Sequence, residues 1–278
     1  MTKTWFITGA GRGLGTEIAK AALAAGDNVV ATARDTARLA EALGPDDDRL
    51  LNVALDVTAA GQAQAAVDAA EKRFGGIDVL VNNAGYGHLG FFEEASEEDI
   101  RIQFETNLFG VFRVTRAALP AMRKAGHGRI FNLSSVGGLR GAEFGSLYCS
   151  TKFALEGFSE SLAQEVAPFG IFVTIVEPGP FRTDFLTPES LRFGGQAIAD
   201  YAARRETLRA SYEQRNGHQP GDPVRLARAL VRLAAEQKPP LRFLGGAMAL
   251  ETAKAKLAGM GAEFERWRDL ALATDYPA

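Results

Sequence analysis

The chain has 278 residues, of which 46% are hydrophobic and 23% are charged, an ordinary globular composition. Its net charge of -3 gives no reason to expect nucleic acid or an anionic membrane surface as a partner. A single cysteine, Cys149, excludes an intrachain disulfide, and with only three scattered histidines no metal site is predicted. Because no apolar run reaches transmembrane length and the N-terminus lacks a signal-peptide pattern, we expect a soluble cytoplasmic protein with no membrane partner.

Short, almost entirely apolar runs alternate with longer helical patterns along the first two thirds of the chain. The apolar runs predict strands at residues 5–8, 28–32, 50–55, 79–81, 129–133 and 172–176. The patterns between them predict helices at residues 14–25, 36–43, 62–74, 97–125 and 147–167. Apolar strands that alternate with helices are typical of a parallel sheet covered on both faces. We therefore predict a doubly wound α/β fold with right-handed crossovers.

The last third of the chain is more irregular. Prolines and glycines interrupt residues 177–221 around one helical pattern. Asp222 followed by Pro223 predicts the N-cap and first turn of a further helix. Residues 241–244 predict a seventh strand, and the tail predicts a helical C-terminal extension at about residues 245–278. We interpret residues 1–278 as a single Rossmann-type domain with a mostly parallel seven-stranded sheet.

A glycine-rich loop follows the first predicted strand and opens the first predicted helix. Residues 8–15 read TGAGRGLG. A helix N-terminus offers unpaired N–H groups to a pyrophosphate, and glycines are needed where a side chain would block the turn or the phosphate. An ordinary strand–helix turn is the alternative, but the position between strand and helix favours a dinucleotide site. The residues assigned to that site are Gly9, Arg12, Gly13, Leu14 and Gly15.

The end of the second strand indicates which nicotinamide cofactor would bind. A carboxylate there would hold the adenosine 2′-hydroxyl and repel a 2′-phosphate. This sequence has Ala33 in that place, followed by Arg34, whose guanidinium can bind phosphate. Arg12 could add a second positive charge, so the residues favour NADP(H). Asp35 is interpreted as the N-cap of the next helix, although it could instead hold an NAD ribose.

Tyr148 and Lys152 are four residues apart and would share one face of a helix. A nearby ammonium favours the phenolate and lowers a tyrosine pKa from its ordinary value of about 10. Alone, the pair could be incidental on a surface helix. However, Ser135 ends a buried strand, at the end where open α/β sheets bind ligands. Asn107 is a polar amide in an apolar helix and therefore needs a partner.

As a set, these features resemble the short-chain dehydrogenase/reductase family over residues 3–183. The matching motifs are TGxxxGxG at residues 8–15, NNAG at 82–85 and YxxxK at 148–152, with Ser135 at the family's spacing before the tyrosine. The rest of the chain is only loosely similar, and its tail resembles the 17β-hydroxysteroid dehydrogenase branch weakly. The resemblance implies a carbonyl reductase or alcohol dehydrogenase that uses NADP(H).

The resemblance also implies roles for individual residues. Tyr148 would transfer the proton, Ser135 would orient the substrate oxygen, and Lys152 would lower the tyrosine pKa and bind the nicotinamide ribose. Asn107 would anchor a water that links Lys152 to solvent. Asp56 would contact the adenine ring. Further cofactor contacts are implied for Val57, Asn83, Ala84, Gly85, Pro178, Gly179, Phe181 and Thr183, the last at the carboxamide.

The expected substrate is a small hydrophobic ketone, aldehyde or secondary alcohol, because the segments beside the nicotinamide are apolar and aromatic. Phe144, Phe181 and Phe185 are candidate substrate contacts. Residues 184–217 are expected to close over the substrate as a lid. Within them, Arg204 and Arg205 are expected on a solvated helix face.

The resemblance implies a homodimer or homotetramer, formed through the helices at 97–125 and 147–167. Two other classes of function stay open, namely a non-catalytic NADP-binding sensor and an interaction protein on the same fold. The set of Asn107, Ser135, Tyr148 and Lys152 argues against the sensor, because a sensor needs no acid/base pair.

Overall fold

The computed structural model describes residues 2–276. Its strands are β1 (Thr4–Thr8), β2 (Asn28–Ala33), β3 (Leu50–Ala54), β4 (Val79–Asn82), β5 (Gly87–Leu89), β6 (Gly128–Leu133), β7 (Ile171–Pro178), β8 (Leu191–Phe193) and β9 (Arg242–Gly245). Its α-helices are α1 (Gly13–Ala24), α2 (Thr36–Leu43), α3 (Gln62–Phe74), α4 (Glu97–Phe104), α5 (Gly110–Ala125), α6 (Ser146–Val166), α7 (Ala202–Arg215), α8 (Pro223–Ala235), α9 (Ala247–Arg266) and α10 (Arg268–Leu272).

Seven strands form one parallel sheet in the order β3-β2-β1-β4-β6-β7-β9. The chain first builds outward from β1 to β3 and then returns past β1 to β4, so the strand order reverses between β1 and β4. A crevice at the carboxyl ends of the strands is expected at such a reversal. The predicted doubly wound Rossmann fold is therefore confirmed.

Helices cover both faces of the sheet, which explains why its strands are mostly apolar. Alternate residues of β1 point to opposite faces. Trp5 and Ile7 pack in a cluster with residues of α1 and α8, whereas Phe6 packs on the other face with residues of α3 and α5. All three side chains are fully buried. The paired hydrophobic layers hold the carboxyl ends of the strands in fixed positions.

The predicted helix at residues 97–125 is two helices joined by a π-helical turn, Glu105–Phe109. Asn107 lies in this turn and is 1% exposed. Its amide binds both backbone groups of Tyr86, accepting from N at 3.1 Å and donating to O at 2.9 Å. Single π turns inside α-helices are frequent at functional sites. The π turn thus carries the residue that binds the backbone of Tyr86.

A second, two-stranded parallel sheet pairs β5 with β8 and was not predicted. Each of its strands has three residues, too few for a hydrophobic period to be recognised. The pairing joins residues 184–217, the predicted lid, to the segment that follows β4.

Helix α9, farther along the chain, is largely exposed to solvent: Leu257 and Phe264 are 70% and 63% exposed. Within residues 2–276, no helix is both long and apolar enough to cross a membrane.

Ion pairs also fasten the lid: the Arg204 side chain is 67% exposed, as expected for a solvated helix face, whereas Arg205 is only 26% exposed and departs from that expectation. Arg205 pairs with the buried Glu94, and Arg204 pairs with Glu143. Glu94 is 1% exposed and also accepts from the backbone N of Ile198 at 3.0 Å. Glu143 and Glu94 precede their arginine partners by 61 and 111 residues in the sequence.

An Arg205→Met variant is expected to lose about 2 kcal/mol of unfolding free energy, because it leaves a buried carboxylate without its cation. Urea unfolding measures this loss. Arg204→Met is the matched control, since that pair is exposed on both sides, and it is expected to change stability by less than about 0.5 kcal/mol. Equal losses of unfolding free energy in the two variants would show that the burial of Glu94 does not determine how much its ion pair contributes to stability.

Candidate active site

One cleft of about 1470 Å³ lies along the carboxyl ends of the strands. Its volume exceeds the roughly 300–1,000 Å³ of a pocket for one small molecule, so it can hold a dinucleotide together with a second ligand. Most residues assigned to the cofactor from sequence line it: Gly9, Arg12, Gly13, Leu14, Arg34, Asp56, Val57, Asn83, Ala84, Gly85, Pro178, Gly179, Phe181 and Thr183. Gly15 and Asn107 do not line the cleft; Gly15 packs against Gly9 and Asn83, and Asn107 binds the backbone of Tyr86, and these three neighbours belong to the segments that form the wall.

The glycine loop at the start of α1 is tightly closed. Gly9 and Gly13 have φ values of +66° and +57°, which favour glycine. A Cβ on Gly15 would lie 2.4 Å from the Gly9 carbonyl oxygen and 2.6 Å from Asn83 Nδ2, so no side chain fits there. The Oγ1 of Thr8 accepts from the backbone N of Asn83 at 2.9 Å. These contacts leave the positive end of α1 facing the cleft, where it suits a phosphate.

Three arginines gather at the β2 end of the cleft: Arg12, Arg34 and Arg38 all line it. Burial, and then the charges of Arg38 and Arg34, lower the pKa of Arg12 from its ordinary value. The Asp35 carboxylate is engaged as the N-cap of α2, accepting from the backbone N of Ala37 at 2.9 Å. Sequence reasoning missed Arg38, which lies on the first turn of α2, three residues after the Asp35 N-cap.

The other end of the cleft holds Tyr148, Lys152 and Ser135. Tyr148 and Lys152 project from the same face of α6, and Ser135 follows β6. Lys152 is 8% exposed, and its ammonium lies 5.7 Å from the centre of the Tyr148 ring and donates to the Leu133 carbonyl at 2.7 Å. Ser135 lies within hydrogen-bonding reach of the Tyr148 hydroxyl. The motif residues that sequence placed at separate strand ends therefore meet at one point.

Burial controls the titration of the two central groups. It raises the pKa of Tyr148 to about 12, against a smaller lowering by the hydrogen bond with Ser135. It lowers the pKa of Lys152 to about 8, against the opposing charge of Glu156. The Lys152 ammonium is directed at Leu133, and the expected lowering of the tyrosine pKa is not seen. Tyr148 is therefore a protonated phenol at neutral pH, which is the form that donates a proton.

A buried chain of polar side chains fastens α6 to the sheet. Asn82 donates to Asn132 at 2.8 Å and to Thr115 at 3.0 Å, and Asn132 donates to Ser159 at 2.8 Å. All four side chains are at most 2% exposed. Although Asn82 Oδ1 has no partner among the described residues, buried hydrogen-bonded networks of this kind favour one packing arrangement. The chain holds the helix that carries Tyr148 and Lys152 in register with the strand that leads to Ser135.

Behind the catalytic end, two buried glutamates share one arginine. Ser134 donates to Glu156 at 2.7 Å, and Arg242 of β9 binds both Glu156 and Glu177. Glu177 is fully buried. Burial and the charge of Glu156 raise the pKa of Glu177 to about 7. Sequence reasoning missed this cluster because its members come from strands and helices 65 and 86 residues apart.

A Glu177→Gln variant is expected to gain stability relative to wild type as the pH rises. The folded protein holds the Glu177 proton more tightly than the unfolded chain does, so wild type loses stability between about pH 4.5 and pH 8. The relative gain from pH 5 to pH 8 is expected to be on the order of 2 kcal/mol in urea unfolding. Glu160→Gln, which removes a half-exposed carboxylate from the same arginine, is the control. An equal gain in that control would contradict the assignment.

The three candidate substrate contacts lie in different places. Phe181 and Phe185 line the cleft, and the Phe185 ring is centred 5.7 Å from that of Tyr148. Phe144 is 4% exposed and packs with Leu89 and Leu191 behind the wall of the cleft. Its φ of +68°, rare for a residue with a side chain, belongs to a turn that directs the ring inward. Phe144 thus supports the β5–β8 pair and does not line the cleft.

A family model described as short chain dehydrogenase matches residues 3–192. The chain belongs to this family. It is 42% identical to an oxidoreductase, BOA17, from Botryotinia fuckeliana over 277 residues, covering 99% of this chain and 100% of that protein. It is 38% identical to a 3-ketodihydrosphingosine reductase from Bacteroides thetaiotaomicron over 238 residues, covering 85% of each. A crystal structure of a short-chain dehydrogenase from Streptomyces avermitilis aligns with a TM-score of 0.90 at 40% identity, covering 99% of this chain and 100% of that chain.

Two solved structures that resemble this one contain nicotinamide cofactors. A 3-ketoacyl-(acyl-carrier-protein) reductase from Brucella melitensis, at 30% identity and a TM-score of 0.72, is complexed with NADH and aligns over 87% of this chain and 94% of that one. ElxO, at 28% identity and a TM-score of 0.73, contains NADP and aligns over 90% of this chain and all of that one. The protein is thus a short-chain dehydrogenase/reductase, an oxidoreductase that uses a nicotinamide cofactor. In residues 2–276, no three His, Cys, Asp or Glu side chains are grouped to hold a metal ion.

Proposed function

We propose that this short-chain dehydrogenase/reductase uses NADP(H) to interconvert a hydrophobic ketone or aldehyde and its alcohol, with Tyr148 as the proton donor. The observation that carries the proposal is the continuity of the cleft. A single cavity joins the three-arginine cluster at β2 to Tyr148, Ser135 and Lys152 beyond β6. A dinucleotide bound along it would have its adenosine at the arginines and its nicotinamide at the tyrosine.

The residues present fit this cofactor. The closed glycine loop supplies the N-terminus of α1 to the pyrophosphate, and Asp56 and Val57 line the adenine end. Arg34 and Arg38, with Arg12, would neutralise a 2′-phosphate. Pro178, Gly179, Phe181 and Thr183 would border the nicotinamide. When bound, the cofactor supplies or accepts the hydride.

In the direction of reduction, the Tyr148 phenol donates its proton to the carbonyl oxygen while the carbonyl carbon gains the hydride, so that an alcohol and a tyrosinate result. Ser135 would donate a hydrogen bond to the same oxygen and hold it beside the phenol. The Lys152 ammonium would stabilise the negative charge that forms on the tyrosine. Asn107 keeps the Tyr86 backbone in place, and we assign it a supporting role in the site.

Residues of the lid line the substrate end of the cleft, with Phe185, Leu186, Leu191 and Tyr212 as its apolar members. Phe181 and Phe185 line this end, and the fastening of the lid at β8 and Arg205 would keep water away from the reacting carbonyl. Reaction of the related Bacteroides protein with 3-ketodihydrosphingosine, as its name states, agrees with an apolar ketone.

We also propose that the protein forms a homodimer or homotetramer. Its support is the exposure of Phe109 and Phe153, 44% and 45%, on the π turn and α6.

Calorimetric titration with NADPH and NADH, followed by a panel of hydrophobic ketones and aldehydes with the preferred cofactor, tests the proposal. Tighter binding of NADPH and turnover of bulky apolar carbonyls are expected. Equal affinity for both cofactors would overturn the NADP(H) assignment. Turnover of small charged acids or sugars alone would overturn the substrate class. Tight NADPH binding with no turnover of any carbonyl would favour the non-catalytic sensor.

A further inference from the structure

Gln219 lies in the loop between α7 and α8 and lines the cleft. It is 3% exposed, and neither Oε1 nor Nε2 has a hydrogen-bond partner within residues 2–276. Leaving a buried polar atom unpaired costs about 1–3 kcal/mol, so an amide with both ends unpaired, in a residue that lines the cleft, is unfavourable in the unliganded protein. A residue of this kind is expected where a ligand completes the hydrogen bonds.

The surroundings place Gln219 at the catalytic side of the cleft. Its carbonyl oxygen accepts from Arg182 Nη2 at 3.3 Å, and Gly221, two residues later, forms a parallel bridge with Phe181. The loop therefore runs beside the segment that follows β7. That strand neighbours β6, which leads to Ser135, whereas the arginine cluster lies at β2 with three strands between. Gln219 is thus remote from the adenosine end.

The lid supplies the rest of this wall. Tyr212, on the last turn of α7, lines the same cleft and packs against the cluster of Leu89, Phe144 and Leu191. Phe185 lines it as well, with its ring near the Tyr148 ring. A substrate seated against Tyr148 would therefore have an apolar body between aromatic rings. Gln219 would be the polar group that its far end meets.

The two free ends of Gln219 restrict the chemistry of its partner. The amide nitrogen can only donate and the amide oxygen can only accept. A carboxylate or a ketone only accepts, and an ammonium only donates, so each would leave one end of Gln219 unpaired. A hydroxyl both donates and accepts, and it can satisfy the two ends together. The nicotinamide carboxamide has the same capacity, but its assigned neighbour is Thr183.

We propose that Gln219 recognises a hydroxyl group of the substrate, remote from the carbonyl that is reduced. The preferred substrates are then hydrophobic hydroxy-ketones or hydroxy-aldehydes rather than plain hydrocarbon ones. This inference rests on the proposed function for the identity of the reacting group. The recognition itself concerns binding and can be measured without turnover.

Two probe ketones that differ only in one hydroxyl test the proposal: 4-phenylcyclohexanone and 4-(4-hydroxyphenyl)cyclohexanone, each with NADPH. Wild type is expected to have at least a 10-fold higher kcat/KM for the hydroxylated ketone, roughly the effect of one buried hydrogen-bonding group. Gln219→Met, of similar length but apolar, should remove that preference and leave kcat/KM for the plain ketone within about 3-fold. Gln214→Met changes an exposed glutamine that also lines the cleft and should keep the preference.

Calorimetric binding of the two corresponding alcohols, with NADPH present so that no hydride can be transferred, gives a readout that does not depend on turnover. If wild type reduces neither ketone, the proposed function fails, and preferential binding of the hydroxylated alcohol that Gln219→Met abolishes would still support the subsite. Thermal melting of unliganded Gln219→Met at or above the wild-type temperature would show that the variant folds. Equal losses for both ketones, equal binding of both alcohols, or a rise confined to the Kd for NADPH would overturn the proposal.

Discussion

A Tyr148→Phe variant is expected to reduce its carbonyl substrate about 1,000-fold more slowly than wild type, with kcat and kcat/KM falling together. The change removes only the hydroxyl, and positioned proton transfer contributes about 100- to 10,000-fold to a rate. Because the pKa of Tyr148 is raised to about 12, the phenol is fully protonated at neutral pH, and its loss removes the proton donor itself. Steady-state kinetics with saturating NADPH measure the effect.

The matched control is Tyr212→Phe, which removes the hydroxyl of the lid tyrosine that lines the same cleft. It is expected to alter KM more than kcat, because the lid contacts substrate rather than the reacting proton. NADPH affinity should stay within about 3-fold of wild type in Tyr148→Phe, since the ring and Lys152 remain in place. If Tyr148→Phe kept more than about a tenth of the wild-type kcat, another group would have to donate the proton.

The second large effect is expected at the arginine cluster. Arg34→Gln should weaken NADPH binding about 10- to 100-fold, because a hydrogen-bonded ion pair with phosphate contributes about 1.5–3 kcal/mol. NADH lacks the 2′-phosphate, so its affinity should change less than about 3-fold and serves as the internal control. The double variant Arg34→Gln, Arg38→Gln should lose the preference for NADPH. Calorimetric titration at low and high salt checks both statements, since the NADPH contacts are ionic.

Parallel losses of NADPH and NADH affinity in Arg34→Gln would contradict this assignment. They would indicate that Arg34 maintains the structure of the loop between β2 and α2 rather than binding the 2′-phosphate. Arg38→Gln alone distinguishes one dominant arginine from a shared charge. Burial and its neighbours' charges lower the pKa of Arg12 from its ordinary value, yet it remains a cation at neutral pH. The carboxylates of Glu189 and Asp184 oppose this lowering, so part of the repulsion among the three arginines is offset before any cofactor binds.

The large elements of the fold were predictable because each of them has a local cause. Strands such as residues 5–8, in which only Thr8 is polar, are buried on both faces and are therefore almost entirely apolar, a pattern that a few consecutive residues reveal. The π turn at Glu105–Phe109 has no such cause. It depends on the backbone of Tyr86, a partner that no local pattern identifies. The three-residue strands β5 and β8 likewise depend on each other.

The candidate site divides in the same way. Ser135, Tyr148 and Lys152 were found because their chemistry needs fixed spacings at strand ends and on one helix face. Their titration was not predictable, since it depends on how deeply the tertiary structure buries them. Gln219 was also missed, because a glutamine in a loop is ordinarily solvated and only the packed lid leaves its amide buried and unpaired.

The burial of Lys152 bears on how such a chain evolves. A buried ammonium with one hydrogen bond, to Leu133, lowers the stability of the fold relative to an apolar side chain of the same length. Mutation supplies such apolar replacements continually, and a chain with no reaction to perform would be free to accept them. Retention of this lysine is therefore expected only under selection for turnover, which makes position 152 a place where fitness and folding stability oppose each other.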